Sequence, residues 1–351
     1  MLSLFIIILF VVSLVLMRVL LPFFMKWLKE KGKIGIDVHK LNKPEVTEMG
    51  GITILIVACV VALIPMIFIN DFIIRMQIII FISVVGLVGL IGLLDDLYRL
   101  GSKIKPLLTA GASLPLIIAN LILIQGGQKI FSIDPNFPLV GNAFQITVLY
   151  WLLIPIAIAM AANAVNMMDV VNGAMSGPCI VVFGTLLICS LMKNPISEIG
   201  ALLSAIMLGV MIIFYKYNRF PARIFSGDVG AFTIGGALAM IAIMGGLEVV
   251  TIVVAMPFVV NAFQILSSVR GFVEGRKIKE RPSIVQPDGK IAATRGAKAP
   301  ITLMRLTMAK GPLKENEIAR HFMVLTLFCG VLAIITMILT YYIYFIPPNL
   351  P

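Results

Sequence analysis

Apolar residues run through the chain in long stretches, separated by shorter ones where Gly, Pro, Asn and charged residues gather. Runs near the ~20 residues needed to cross a bilayer fall at 3–25, 51–69, 76–94, 106–124, 144–162, 176–192, 197–215, 229–247, 249–269 and 321–346. The pattern predicts an all-α membrane protein, a polytopic bundle of about ten transmembrane helices in one domain spanning 1–351. The first run, Leu2 to Met25, is too long for a signal-peptide core, and no small-x-small cleavage site follows Pro22, so it reads as a retained span. Between the fourth and fifth runs, Gln125-Gly126-Gly127 and Asp134-Pro135-Asn136 punctuate short alternating stretches, which predicts a small β-hairpin over 125–143. No internal repeat is visible, so the inverted-repeat plan of many transporters has no support.

Charge fixes the expected orientation. The alternate connections 26–50, 95–105, 163–175, 216–228 and 270–320 carry 24 of the 28 Lys and Arg residues. By the positive-inside rule these connections are cytosolic and both termini lie outside. The exceptions are Arg18 within the first span, and Arg75, Lys129 and Lys193 on the other side. Arg18 reads as a snorkelling or bundle-paired cation. Composition agrees with a lipid solvent: 60% of residues are hydrophobic and 13% charged, against roughly 25% charged in soluble domains. The net charge of +11 follows membrane topology, so no nucleic-acid partner is expected. Four cysteines (Cys59, Cys179, Cys189, Cys329) sit in apolar runs and read as small hydrophobes.

Polar residues cluster where the cytosolic ends of helices are expected. Asp95-Asp96 closes the third span; adjacent carboxylates at a membrane boundary favour a nearby cation or metal, though a solvated helix end explains them equally. Asn163, Asn166 and Asp169 recur every third position and share a face if the fifth helix persists. Such a row lines a polar cavity or forms an interhelical hydrogen-bond seam. Asn172-Gly173 then reads as a helix stop. Asp228 opens the eighth span after Arg223-Ile-Phe-Ser-Gly, as a functional carboxylate or an N-cap. The basic connection, with Arg276, Lys277, Lys279, Arg281, Lys290, Arg295 and Lys298, suits anionic lipid, topology or a diphosphate. Neither histidine (His39, His321) has a partner at triad or zinc-ligand spacing, and neither usual type of Gly-rich nucleotide loop appears.

Taken together and in order, these motifs resemble the polyprenyl-phosphate N-acetylhexosamine-1-phosphate transferases, the MraY/WecA-like family. The residues concerned are Asp37 through Pro44-Glu45, Glu48, Gly50-Gly51, Gly92-Leu-Leu-Asp95-Asp96, Lys105, Asn163-Ala-Val-Asn166, Asn172-Gly173 and Arg223-Ile-Phe225-Ser-Gly227-Asp228. The stretch Ile301-Thr-Leu-Met-Arg-Leu, with Lys310-Gly-Pro-Leu-Lys-Glu-Asn, is similar to the dolichol-linked branch, and the compact 270–320 connection suits an archaeal member. The His-rich motif of the bacterial enzymes is absent, and Lys279-Glu-Arg281-Pro282 is the nearest match to the eukaryotic Pro-Arg-His-Arg stretch.

The resemblance implies transfer of GlcNAc-1-phosphate from UDP-GlcNAc to a polyprenyl (dolichyl) phosphate, the first step of lipid-linked oligosaccharide assembly for N-glycosylation. It implies Mg2+ held by Asn166 and Asp228, and Lys105 on the acceptor phosphate. Asp95 and Asp96 become candidates for the base or for positioning the acceptor. Asp37, Val38, Glu48, Asn163, Asn172 and Phe225 would form the nucleotide-sugar pocket, with Arg281 on the diphosphate. The expected location is a membrane with a cytosolic active site: plasma membrane in an archaeon, endoplasmic reticulum in a eukaryote. A homodimer is compatible with the sequence but not required by it. The competing readings are a bacterial-type undecaprenyl-phosphate transferase and a non-enzymatic transporter of nucleotide sugars or lipid-linked sugars.

Overall fold

Each of the ten apolar runs holds helix in the computed structural model, which describes residues 2–132, 147–271, 278 and 280–344. The first run is α1 (Leu2–Glu30), the second α2 (Gly51–Phe68) and the third α3 (Phe72–Tyr98). The fourth is divided into α4 (Ile104–Gly111) and α5 (Leu114–Gln125), which together form one span. Then come α6 (Thr147–Met168), α7 (Ser176–Met192), α8 (Glu198–Asn218) and α9 (Gly227–Gly245). The ninth run breaks into α10 (Glu248–Val254) and α11 (Met256–Ser268), bent by 69°. The short α12 (Leu303–Thr307) precedes α13 (Glu315–Tyr344).

Among the described residues, eight helices are long and apolar enough to cross a membrane, and the bent pair makes a ninth. The remaining run, α7, is a shorter apolar helix of 17 residues. The chain is a polytopic integral membrane protein. The hairpin expected over 125–143 falls largely on residues 133–146, outside those described. Two hairpins form among the described residues: β1 (Ile34–Ile36) pairs antiparallel with β2 (Glu45–Thr47), and β3 (Ser283–Val285) with β4 (Ile291–Ala293). Their three-residue strands are too short for alternation to announce them.

The bundle is built around α9. Its apolar window is 89% buried, and Gly230, Ala231, Gly235, Gly236 and Ala237 let neighbouring helices approach its backbone. On α1, by contrast, Leu4, Ile7, Val11, Val15 and Val19 stand exposed at helical spacing, the face a lipid solvent permits. α1 ends beside the β1–β2 hairpin, and α13 starts from that same end. Leu2 and Tyr344 therefore stand at the far ends of helices leading away from it.

Two cations from the less basic side have local structural employment. Lys193 donates to the carbonyls of Gly245 and Gly246 at 2.7 and 3.1 Å, closing the C-terminus of α9. Arg75 donates to the Ile69 carbonyl at 2.6 Å and to Asn70 Oδ1 at 2.8 Å, where α2 ends. Arg18 is exposed on α1.

The closest approach that matters for the site is at Gly92. A Cβ there would lie 2.5 Å from the Asp228 carbonyl oxygen and 2.7 Å from Val229 Cα, so only glycine admits α9 at this distance. Gly92→Ala is expected to force the two helices apart at a cost of about 1–3 kcal/mol, the usual range for overpacking. Thermal unfolding in detergent checks this; an unchanged midpoint would show that the crossing has slack.

Candidate active site

Three carboxylates, one lysine and one side-chain amide meet where α3, α4, α6 and α9 end on the hairpin side of the bundle. Asp228, the second residue of α9, accepts from Asn166 Nδ2 on α6 at 2.5 Å and from Lys105 Nζ on α4 at 3.1 Å. Lys105 also pairs with Asp95 on α3. Asp95 Oδ1 in turn accepts from the Leu100 amide at 2.7 Å, which holds the chain as it leaves α3. The ammonium thus sits between two carboxylates that lie 133 residues apart in sequence.

Adjacent side chains on a helix diverge by about 100°, and Asp95 and Asp96 show the consequence. Asp95 faces Lys105, whereas Asp96 turns to the start of α9. Its Oδ1 accepts from the Asp228 amide at 2.8 Å and its Oδ2 from the Val229 amide at 3.0 Å. Ser226, at the N-cap position, makes no side-chain cap. A carboxylate from another helix therefore satisfies amides that α9 cannot satisfy itself. Gly227 completes the fit: its φ of +69° favours glycine, and a Cβ there would lie 2.6 Å from Asp96 Oδ2.

Beside this cluster opens a cavity of about 330 Å3. Its walls include Asp37, Val38, Asn166, Asp169, Asn172, Phe225 and Asp228. The segment carrying Phe225 is tied to the β1–β2 hairpin, because Phe225 donates its amide to the Thr47 carbonyl and accepts from Gly50 through its own carbonyl, at 2.8 and 2.9 Å. Asn218 Nδ2 secures the same segment by donating to the Ile224 carbonyl at 3.0 Å. Asp37 accepts from Asn172 Nδ2 at 3.0 Å and from Lys40. Burial alone would raise the Asp37 carboxyl, but the bonds from Lys40 and Asn172 hold it below the usual carboxylate range. Asp169 lies just beyond the end of α6, so it does not continue the helical row of Asn163 and Asn166. Burial pushes its carboxyl up to about 6, against the bond it accepts from Ser226 and with the repulsion of Asp228.

Sequence comparison covers the same part of the chain. A family model described as glycosyl transferase family 4 matches residues 77–246, a span that holds Asp95, Asp96, Lys105, Asn166, Asn172 and Asp228. Over that span the chain is similar to glycosyl transferase family 4. Similar over most of its length is a protein of Saccharolobus solfataricus provisionally named UDP-N-acetylglucosamine–dolichyl-phosphate N-acetylglucosaminephosphotransferase. It is 25% identical over 87% of this chain and 91% of its own. A provisionally named glycosyltransferase of Methanocaldococcus jannaschii is 27% identical over 93% and 94%. The phospho-N-acetylmuramoyl-pentapeptide-transferase of Bacillus subtilis is 27% identical over 77% and 83%.

Not every residue singled out in the sequence reaches the cavity. Asn163 donates to its own helix, to the Ala159 carbonyl at 2.7 Å, and is not part of the wall. Glu48 folds over Gly35 outside the wall; burial raises its carboxyl, Asp228 raises it further, and Arg99 opposes both. Arg281 is exposed but close enough to act on His39, a wall residue. Burial lowers the His39 imidazole, Asp37 opposes that, and the Arg281 and Lys40 charges lower it further. Arg276, Lys277 and Lys279 lie outside the described residues.

Several contributors were given no role of their own from the sequence. His39 and Lys40 lie in the loop between β1 and β2, Ser226 in the segment before α9, and Asn218 is the last residue of α8. Glu315 accepts from the Asn172 amide at 2.8 Å across 143 residues; its only sequence signal was a place in the Lys314-Glu-Asn stretch.

Proposed function

We propose that this protein transfers GlcNAc-1-phosphate from UDP-GlcNAc to a polyprenyl (dolichyl) phosphate at the cytosolic membrane face, releasing UMP. The observation that carries the reading is the meeting of Lys105, Asn166 and Asp228 at the edge of a polar-walled cavity, at the end of an apolar bundle. A prenyl tail can remain in lipid there while a nucleotide enters from water. The archaeal relative's name and the crowding of basic residues on the connections at this end support the same reading.

Phosphoryl transfer chiefly requires positioning and neutralisation of charge. An acceptor phosphate oxygen would attack the sugar-bearing phosphorus, the new P–O bond forming as the bond to UMP breaks. The acceptor's second pKa is about 6, so its phosphate is largely ionised already, and direct attack needs neither a strong base nor a phospho-aspartate. Lys105 would orient the acceptor. Asp37, Val38, Asn172 and Phe225 would hold the nucleotide, with the Phe225 ring against uracil, and Arg281 would meet the diphosphate from the rim.

The donor set also suits magnesium, which takes one or two protein oxygens and fills its octahedron with phosphate and water. Asp228 supplies a carboxylate on the cavity wall. Asn166 beside it presents Nδ2, and turning that amide over presents Oδ1 instead. Among the described residues no group of three or more His, Cys, Asp or Glu could hold a metal, and this donor set needs none. Such an ion would neutralise charge on the transferring phosphoryl group.

Purified protein given dolichyl phosphate and a panel of UDP-sugars is expected to release UMP with UDP-GlcNAc when Mg2+ is present. With UDP-GlcNAc alone it is expected to show no phospho-aspartyl peptide by mass spectrometry. Failure to release UMP with any UDP-N-acetylhexosamine would sink the reading. The name of the Bacillus subtilis relative favours a second reading, a muramoyl-pentapeptide donor, and including that donor with undecaprenyl phosphate in the panel decides between them.

A further inference from the structure

Asn172 is held from outside the cavity, and the residue that holds it lies beyond the 77–246 span matched by the family model. Glu315, the first residue of α13, is 4% exposed. Its Oε1 accepts the Asn172 backbone amide at 2.8 Å, while its Oε2 has no hydrogen-bond partner and lies 4.0 Å from Lys40 Nζ. Lys40 also pairs with Asp37, and Asp37 accepts from the Asn172 side chain at 3.0 Å. The four residues form a closed ring, Asp37–Asn172–Glu315–Lys40, built from three segments distant in sequence. A buried carboxylate is costly to keep, and this one touches no reacting group in the arrangement above. Its two neighbours in the ring both lead to wall residues.

We infer that Glu315 is a positioning residue for the nucleotide side of the site, acting through Asn172 and sharing Lys40 with Asp37. The inference rests on reading the cavity as the nucleotide pocket. The ring fixes the Asn172 backbone through Glu315 and its amide through Asp37. With Nδ2 committed to Asp37, Oδ1 is the side-chain atom left to accept from a ligand N–H. Without Glu315 the loop after α6 loses its anchor to α13, and Asn172 no longer stands where the ligand meets it. The acceptor side, built on Lys105 and Asp95, is not joined to this ring.

The test combines steady-state UMP release with calorimetric titration of UDP into protein in detergent micelles. Glu315→Ala is expected to raise KM for UDP-GlcNAc and Kd for UDP about tenfold, the size of one lost hydrogen bond to a charged group. Its kcat and its KM for dolichyl phosphate should stay within about threefold of wild type. Glu315→Gln keeps an oxygen for the Asn172 amide and is expected to restore most of the UDP affinity. Unchanged UDP affinity in Glu315→Ala overturns the inference. So does a parallel fall in kcat, both substrate affinities and the unfolding midpoint, which marks a purely structural role. Should Glu315→Ala fail to fold, Lys40→Gln decides: a rise in UDP Kd of about threefold supports the ring, and no rise overturns it. Wild-type protein that binds no UDP refutes the pocket reading itself, an outcome visible before any variant is compared.

Discussion

Asp228→Ala is expected to lower UMP release by about a thousandfold or more while leaving the bundle folded. The carboxylate is the one group that Lys105 and Asn166 both reach, from two different helices. Removing it takes away the only negative charge among the proposed metal ligands. Preorganised charge at a transferring phosphoryl group is worth about 10²–10³ per contributor in comparable sites, and a metal acts there without proton transfer. Stability should change far less. The Asp228 side chain is 28% exposed, and Lys105 keeps its pairing with Asp95 when Asp228 is lost. The backbone amide that Asp96 holds is also retained. Turnover and the thermal unfolding midpoint, measured on the same preparation, separate the two effects. Residual turnover above about a tenth of wild type would remove Asp228 from the metal and phosphate roles, because no lost ligand of that kind is so mild.

The sequence made the bundle legible because a bilayer leaves the chain little choice. Helices near 20 apolar residues and cations on one side are almost obligatory there. What it concealed was the breaks. The kink at Ala255 and the division at Ala112–Ser113 lie inside apolar runs, where hydropathy does not change. Within the site, residues carried by a motif were visible, and residues recruited across the fold were not. Asn166 and Asp228 stand at helix ends in conspicuous polar clusters. Lys40 and Glu315 meet only because a hairpin after α1 and the start of α13 arrive at one place, a long-range closure that leaves no local pattern. Asn163 shows the converse. Its spacing matched Asn166, but a side-chain bond to its own helix accounts for it.

The adjacent carboxylates carry the other large effect, because their geometry gives them different work. Asp96→Ala removes both acceptors from the first amides of α9, and Ser226 offers no side-chain cap in their place. Losing a helix cap costs about 0.5–2 kcal/mol. It also frees the amide of Asp228, so turnover is expected to fall about a hundredfold through displacement of that carboxylate, displacement of about 1 Å being enough. Asp96→Asn discriminates the cause. Asparagine keeps one acceptor oxygen for the helix but cannot take up a proton as a carboxylate does. If Asp96 acts by capping, Asp96→Asn should retain turnover within about tenfold of wild type and most of the unfolding midpoint, well above Asp96→Ala. If Asp96 accepts a proton in the reaction, the two variants should be equally inactive, and Asp96→Asn should be inactive while still folded. The structure favours the first outcome, since both Asp96 oxygens are already bonded to the backbone of α9. Asp95, paired with Lys105 and turned the other way along α3, would then be the carboxylate beside the proposed acceptor phosphate.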